Sequence, residues 1–152
     1  MTATSDPQPW IDKLAIHELM ARYAERIDAK DPTGAAACFT EDGLGVYWGE
    51  CRGRKAIEER LTGILEAFLA TSHHLSNIQI TLDGERATVL SYVYAFHRYA
   101  DSREPMHYWG RWVDVLVKRD GQWLFARREV VGVGSIGSAR GDFDHPGHPG
   151  RL

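Results

Sequence analysis

Several polar side chains stand among apolar neighbours, and they are the groups with chemistry to offer. His73 and His74 lie where a helical pattern gives way to an extended one. Adjacent strand residues point to opposite faces, so only one of the two can face an interior cavity. His97 shares a strand face with Val93, Ala95 and Tyr99, which makes it either a pocket group or a buried, hydrogen-bonded histidine. Arg128 shares a face with Leu124, Ala126 and Val130, so an inward guanidinium needs a carboxylate, a ligand or a carbonyl as partner. Arg127 would then face the other side with Trp123, Phe125 and Glu129, and Asp114 and Arg111 on the preceding strand are alternative partners. Asp28, near a helix end, reads by itself as a capping or solvated residue. His107 opens a strand after a loop and reads as a surface residue.

The chemistry open to such groups is proton transfer. A neutral imidazole titrates close to working pH, and a carboxylate on one ring nitrogen fixes the tautomer, leaving the other free to take a proton. The carboxylate then stabilises the imidazolium. Removing a proton from carbon also needs donors for the developing charge or the departing group, and Arg128, Tyr23 or His97 could supply them.

The elements that must position these groups are readable from periodicity. From Trp10 to about Lys30, Leu14, Ile16, Met20, Tyr23 and Ile27 recur at helical spacing. Tyr23 and Asp28 are five residues apart, about 140° around an ideal helix, so both reach one pocket only if the helix end unwinds or the pocket wraps its tip. Asp31-Pro32 breaks that helix, and Asp31 can cap a second short one through Ala35 to Phe39. Phe39 to Gly43 reads as a turn, Leu44 to Trp48 as a short strand, and Gly53 to Ala70 as a third helix with Ile57, Leu61, Ile64, Leu65 and Phe68 on its apolar side. Strands follow over His74 to Leu82, Ala87 to Tyr99, His107 to Lys118 and Trp123 to Val133, with Asp83-Gly84 and Asp120-Gly121 as hairpin turns. Helices followed by a meander of strands make an α+β domain whose helices cap a curved, mainly antiparallel sheet, a cone with room for a cavity. The expected organisation is an N-terminal extension over 1–9, the domain over 10–134, and a flexible Gly-, Pro- and His-rich tail over 135–152.

Composition excludes several function classes. The 152 residues suit one core, and a net charge of −3 lacks the basic footprint of a nucleic-acid binder. No apolar run is long enough to span a bilayer, and the start carries no leader pattern, so a cytoplasmic protein is expected. Cys38 and Cys51 suit buried thiols better than a metal site, and His145 and His148 in the tail lack the neighbours a strong site requires. No metal is expected. Tyr47, Trp48, Tyr92, Tyr94, Phe96, Trp109 and Trp112 read mostly as core or subunit interface, with some of Tyr47, Trp48, Tyr94, Phe96, Trp109 and Trp112 walling a pocket for a flat cyclic molecule.

Four short sequences in order carry a resemblance: Ile16-His17-Glu18-Leu19 leading to Tyr23 and Asp28, then His73-His74-Leu75-Ser76-Asn77, Gly110-Arg111-Trp112, and Gly121-Gln122-Trp123 with Arg128. Over roughly residues 10 to 133 the chain resembles SnoaL-like domains of the nuclear transport factor 2-like superfamily. It is most similar to the branch holding bile acid 7α-dehydratase and hexachlorocyclohexane dehydrochlorinase, with scytalone dehydratase more distant. The resemblance implies a cofactor-independent lyase with His73 as general base, chosen over His74, and Asp28 as its carboxylate. It also implies Tyr23 reaching the pocket, Arg128 as a cationic residue, and His97 near a further polar pocket position. Where the bile acid enzyme has an Asp this chain has His97, and where the dehydrochlorinase has a Lys it has Tyr23. The expected reaction takes a proton from carbon in a hydrophobic cyclic or aromatic molecule and expels water or another small group, with aldehyde release by retro-aldol cleavage close to it. Isomerase or cyclase chemistry is the alternative within enzymes. A non-catalytic binding or assembly domain is the alternative outside them, and would leave His73 unpaired or the cavity filled. The small subunit of a ring-hydroxylating dioxygenase is disfavoured by the His and Asp pattern. Large groups on the outer sheet face imply a homo-oligomer, a trimer before a dimer.

Overall fold

The computed structural model describes residues 6–101 and 103–138 and the backbone of Phe143–Asp144. Helix α1, Gln8–Asp28, follows Pro7 as its N-cap and buries Ile16, Leu19, Met20, Tyr23, Ala24 and Ile27 at steps of one or three residues. Leu14, expected in that stripe, is instead 66% exposed. Lys30 adopts a left-handed φ of 56° and ends the helix, and the Asp31 amide bonds back to the Arg26 carbonyl. Asp31 then caps α2, Pro32–Ala36, by accepting the Gly34 N–H at 2.8 Å.

Next come β1 (Phe39–Val46), β2 (Glu50–Arg52), α3 (Arg54–Leu65), β3 (Phe68–Asp83), β4 (Arg86–Tyr99), β5 (Met106–Arg119), β6 (Gln122–Ile136) and β7 (Phe143–Asp144). They form one curved, unclosed sheet in the order β2-β1-β6-β5-β4-β3, with β7 beside β6. All pairings are antiparallel except β1 with β6. Helices cover the concave face, giving the expected α+β cone, and the core runs between them through Ile16, Leu19, Phe39, Ile57, Val89, Leu116 and Phe125. The Asp120-Gly121 hairpin has both turn residues at positive φ, as a tight two-residue turn requires.

Three boundaries differ from the sequence reading. Phe39 to Gly43 is strand rather than turn, because Phe39 pairs with Phe125 across an irregular stretch of β1. The expected strand through Trp48 stops at Val46, and Trp48-Gly49 form the bend into β2. The third helix ends at Leu65 rather than Ala70. Phe68 pairs with Tyr99 as the first residue of β3, sheet pairing having overridden a helix-like apolar spacing. At the C-terminus β6 continues past residue 134 to Ile136, and the backbone of Phe143–Asp144 pairs with it. Residues 139–142 and 145–152 of the expected tail, His145 and His148 among them, lie outside the described residues, as do residues 1–5 of the expected extension.

A bulge in β6 reverses one expectation. Val115 pairs with Arg127 and the next residue, Leu116, with Phe125, so Ala126 is one extra residue against β5. An extra residue shifts the two-residue alternation by one. Trp123, Phe125 and Arg128 therefore all point inward, whereas uninterrupted alternation puts Arg128 with Leu124 and Ala126. Arg127 faces the other side and pairs with Glu129 at 2.7 Å.

Candidate active site

Between α1, α3 and the concave face lies a cavity of about 890 Å³ with a predominantly apolar wall. Of the residues expected in the site, Tyr23, His73, His97, Tyr47, Trp48 and Trp112 line it. His74 does not, and its ring packs 5.7 Å from Tyr94 on the convex face. Alternation along β3 decides between the two histidines.

His73 Nδ1 lies 2.7 Å from Asp28 Oδ1. Asp28 closes α1, and its carboxylate also accepts the His73 backbone N–H at 2.9 Å and the Thr71 hydroxyl at 2.8 Å. The angular conflict between Tyr23 and Asp28 thereby disappears without unwinding. Tyr23 faces the cavity from the body of α1, Asp28 reaches β3 from its tip, and His73 spans from that carboxylate to the cavity wall. Burial and the negative end of the helix dipole both oppose ionisation of Asp28, but the bonds from the His73 ring and backbone and from Thr71 hold its pKa below the usual carboxylate value. An ionised carboxylate only accepts, so Nδ1 carries the proton and Nε2 is the nitrogen left to act as base.

The ring of His97 sits 5.3 Å from that of His73 and 4.7 Å from that of Phe68. Its Nδ1 is buried without a hydrogen-bond partner among the described residues. Burial, then the neighbouring His73, lowers its pKa to about 4, so it is neutral at working pH. On another wall the Tyr23 and Tyr47 hydroxyls are 2.8 Å apart. Burial pushes Tyr23 up to about 12 and Tyr47 well above its ordinary value, so both remain protonated donors. Trp112 lies between the two polar stations, its ring 5.4 Å from Tyr23 and 6.0 Å from His73.

Four expected site residues are elsewhere. Arg128 is fully buried behind the cavity wall, its guanidinium bound to Asp114 at 2.8 and 2.7 Å and packed 4.2, 4.1 and 3.9 Å from the rings of Tyr23, Trp112 and Phe125. It cannot touch a molecule in the cavity as it stands. Asp114 is the carboxylate partner that the buried guanidinium requires, while Arg111 stacks on Tyr92 at 3.6 Å. Tyr94, Phe96 and Trp109 are on the convex face, because a strand that turns His97 inward must turn its odd-step neighbours outward, and Trp109 pairs with Tyr94. There the Tyr94 hydroxyl bonds His107 at 2.8 Å.

Tyr108, Phe68, Tyr99, Arg60 and Thr71 were missed. Tyr108 and Thr71 are two-residue steps from Gly110 and His73 and could have been found by alternation. Phe68 and Arg60 carried no such signal. Cys38 and Cys51 are free and buried. Among the described residues no cluster of three or more His, Cys, Asp or Glu could hold a metal, and no helix is long and apolar enough to cross a membrane.

A protein of Novosphingobium aromaticivorans provisionally described as a scytalone dehydratase is 34% identical, covering 93% of this chain and 97% of its own, with a TM-score of 0.84. A Mycobacterium tuberculosis protein of unknown function is 30% identical over 87% of this chain and 78% of its own, with a TM-score of 0.76. A hexachlorocyclohexane dehydrochlorinase, LinA type 2, shares the fold at a TM-score of 0.82 with 16% identity, over 95% of this chain and all of its own. No curated protein matches the sequence. The model of the SnoaL-like domain matches residues 9–129, from the first turn of α1 into β6, and the chain therefore belongs to the SnoaL-like family.

Proposed function

We propose that this protein is a lyase of the dehydratase type, acting on a hydrophobic cyclic or aromatic molecule held in the cavity. The observation that carries this reading is the 2.7 Å bond between Asp28 and His73, whose ring lies on the wall of a roomy apolar cavity. In the step envisaged, Nε2 of His73 takes a proton from carbon, the C–H electrons become a C=C bond, and the adjacent C–O bond breaks. The departing oxygen takes a proton from the Tyr23–Tyr47 hydroxyl pair and leaves as water, and the tyrosinate is restored by the proton that His73 gives up, so each group ends as it began. The imidazolium formed faces the Asp28 carboxylate and the C-terminal end of α1, both of which favour positive charge. His97, neutral, offers a hydrogen bond beside the base. Protons and a leaving group move, with no net transfer of electrons. Arg128 contributes from behind, as the packing partner of Tyr23 and Trp112.

A purely binding or assembly role expects His73 unpaired or the cavity filled by side chains, and the pair and the open space favour catalysis over it. The 34% identity to the provisionally described scytalone dehydratase supports the same class. The test is incubation with a panel of cyclic β-hydroxy carbonyl compounds in D₂O, followed by mass spectrometry and NMR. Loss of water from at least one compound, abolished in His73→Ala, is expected. Deuterium exchange without loss of water would move the reading to an isomerase, and turnover unchanged in His73→Ala would overturn it.

A further inference from the structure

The rim of the cavity holds features that the elimination chemistry leaves unused. Arg60 is the only Lys or Arg on the cavity wall among the described residues, and it is exposed. No carboxylate among those residues lies within ion-pair distance of it. Its guanidinium reaches from α3 across the bend between β1 and β2. A Cβ placed on Gly49 would meet Nη2 at 3.2 Å, so the guanidinium lies close over the backbone where residue 49 has no side chain. Beside it, Trp48 is 58% exposed and has a φ of 53°. A bulky aromatic residue in the left-handed region costs stability, and such conformations concentrate where a ligand is held. The Trp48 ring packs edge-on to Tyr108, 6.2 Å between centroids, so it stands at the mouth with one side supported by the cavity wall.

We propose that Trp48 and Arg60 form a rim subsite that receives a carboxylate carried by the substrate. This rests on the cavity being the substrate site, and it narrows the substrate to an amphiphile, an apolar ring system bearing an acid group. The ring system fills the apolar wall and the carboxylate stays at the wet rim, where its desolvation cost is small and two guanidinium N–H groups can face its oxygens. Glu59, one residue away and also lining the cavity, has the opposite sign and supplies an internal control.

The test is isothermal titration calorimetry with naphthaleneacetic acid and its uncharged analogue naphthaleneacetamide, which binding alone decides and turnover does not affect. The acid is expected to bind about five- to tenfold more tightly than the amide, the range for a charge-assisted contact at a solvated rim. Arg60→Met should erase that preference, Glu59→Gln widen it, and raised salt narrow it. Trp48→Ala should weaken both probes alike. Circular dichroism and thermal melts of Arg60→Met should match the parent, since the side chain is exposed. If both probes bind equally, or Arg60→Met keeps the preference, the rim subsite is overturned while the lyase reading stands. If neither probe binds, the subsite is overturned and the cavity reading falls with it.

Discussion

Arg128 and Asp114 allow a quantitative test of how the wall behind the cavity is held. Both side chains have 0% exposure, and the guanidinium makes two bonds to the carboxylate while its faces meet three aromatic rings. Arg128→Met leaves a carboxylate buried and unpaired. Breaking such a pair from one side costs roughly 3–5 kcal/mol. For a domain of this size each kcal/mol moves Tm by about 2–4 °C, so the expected fall is about 6–20 °C. Asp114→Leu alone strands the guanidinium and should cost a similar amount. Replacing both groups removes the two charges together, and Arg128→Met with Asp114→Leu should recover most of the loss, because apolar substitutes for a buried pair are often neutral. The assay is urea unfolding at neutral pH for the four proteins of the cycle, with equal m-values as the check on two-state behaviour. A single Arg128→Met loss below about 1 kcal/mol, outside the range for breaking a buried pair, or a double variant as unstable as the sum of the singles, would refute the account of Arg128 as a buried structural cation.

Asp28→Asn should leave the fold intact but release the tautomer of His73. Nitrogen-15 NMR would show the proton moving from Nδ1 towards Nε2, and turnover should fall on the order of 10³- to 10⁴-fold; an unchanged tautomer would refute the assignment. Acid sensitivity should come in two windows. His97 has its pKa lowered from 6.5 to about 4, so between those values the unfolded chain binds a proton that the native one does not, and stability is lost as pH falls through that range, by up to about 3 kcal/mol. His97→Phe should flatten that limb of the pH–stability curve. Asp28, whose pKa is lowered from 3.8, contributes stability that is present above that value and lost only as pH drops through the lower folded pKa. Gly45→Ala would set a Cβ 2.5 Å from the Tyr47 ring and 3.0 Å from Cys51 Sγ. It should displace Tyr47, break its bond to Tyr23 and cost about 1–3 kcal/mol, readable by thermal melt.

Much of the site was readable because it depends on local rules. The spacing of Ile16, Met20, Tyr23 and Ile27 marks the buried stripe of α1, Asp31-Pro32 marks its end, and Asp-Gly pairs mark two hairpins. The order of short motifs led to His73 and Asp28 together, although they are 45 residues apart. Two-residue alternation allowed only one of His73 and His74 to face the cavity, and the motif resemblance pointed to His73, the one whose ring lines it. Applied consistently from His97, the same rule also turns Tyr94 and Phe96 outward.

What local rules could not supply are events decided between strands. The extra residue at Ala126 exists only relative to β5, and it alone brings Arg128 to the side of Phe125 and Trp123 and into the grip of Asp114. Phe68 is a strand residue because Tyr99 pairs with it, and Phe39 because Phe125 does. The sequence by itself determined most of the element types and the family, and it singled out the His73–Asp28 pair as the candidate base and its carboxylate, since these follow from periodicity, turn chemistry and motif order. Only the tertiary structure decided which side chains reach the cavity and which cation is sealed behind it. Register and curvature arise from pairing between distant segments, and no single segment encodes them.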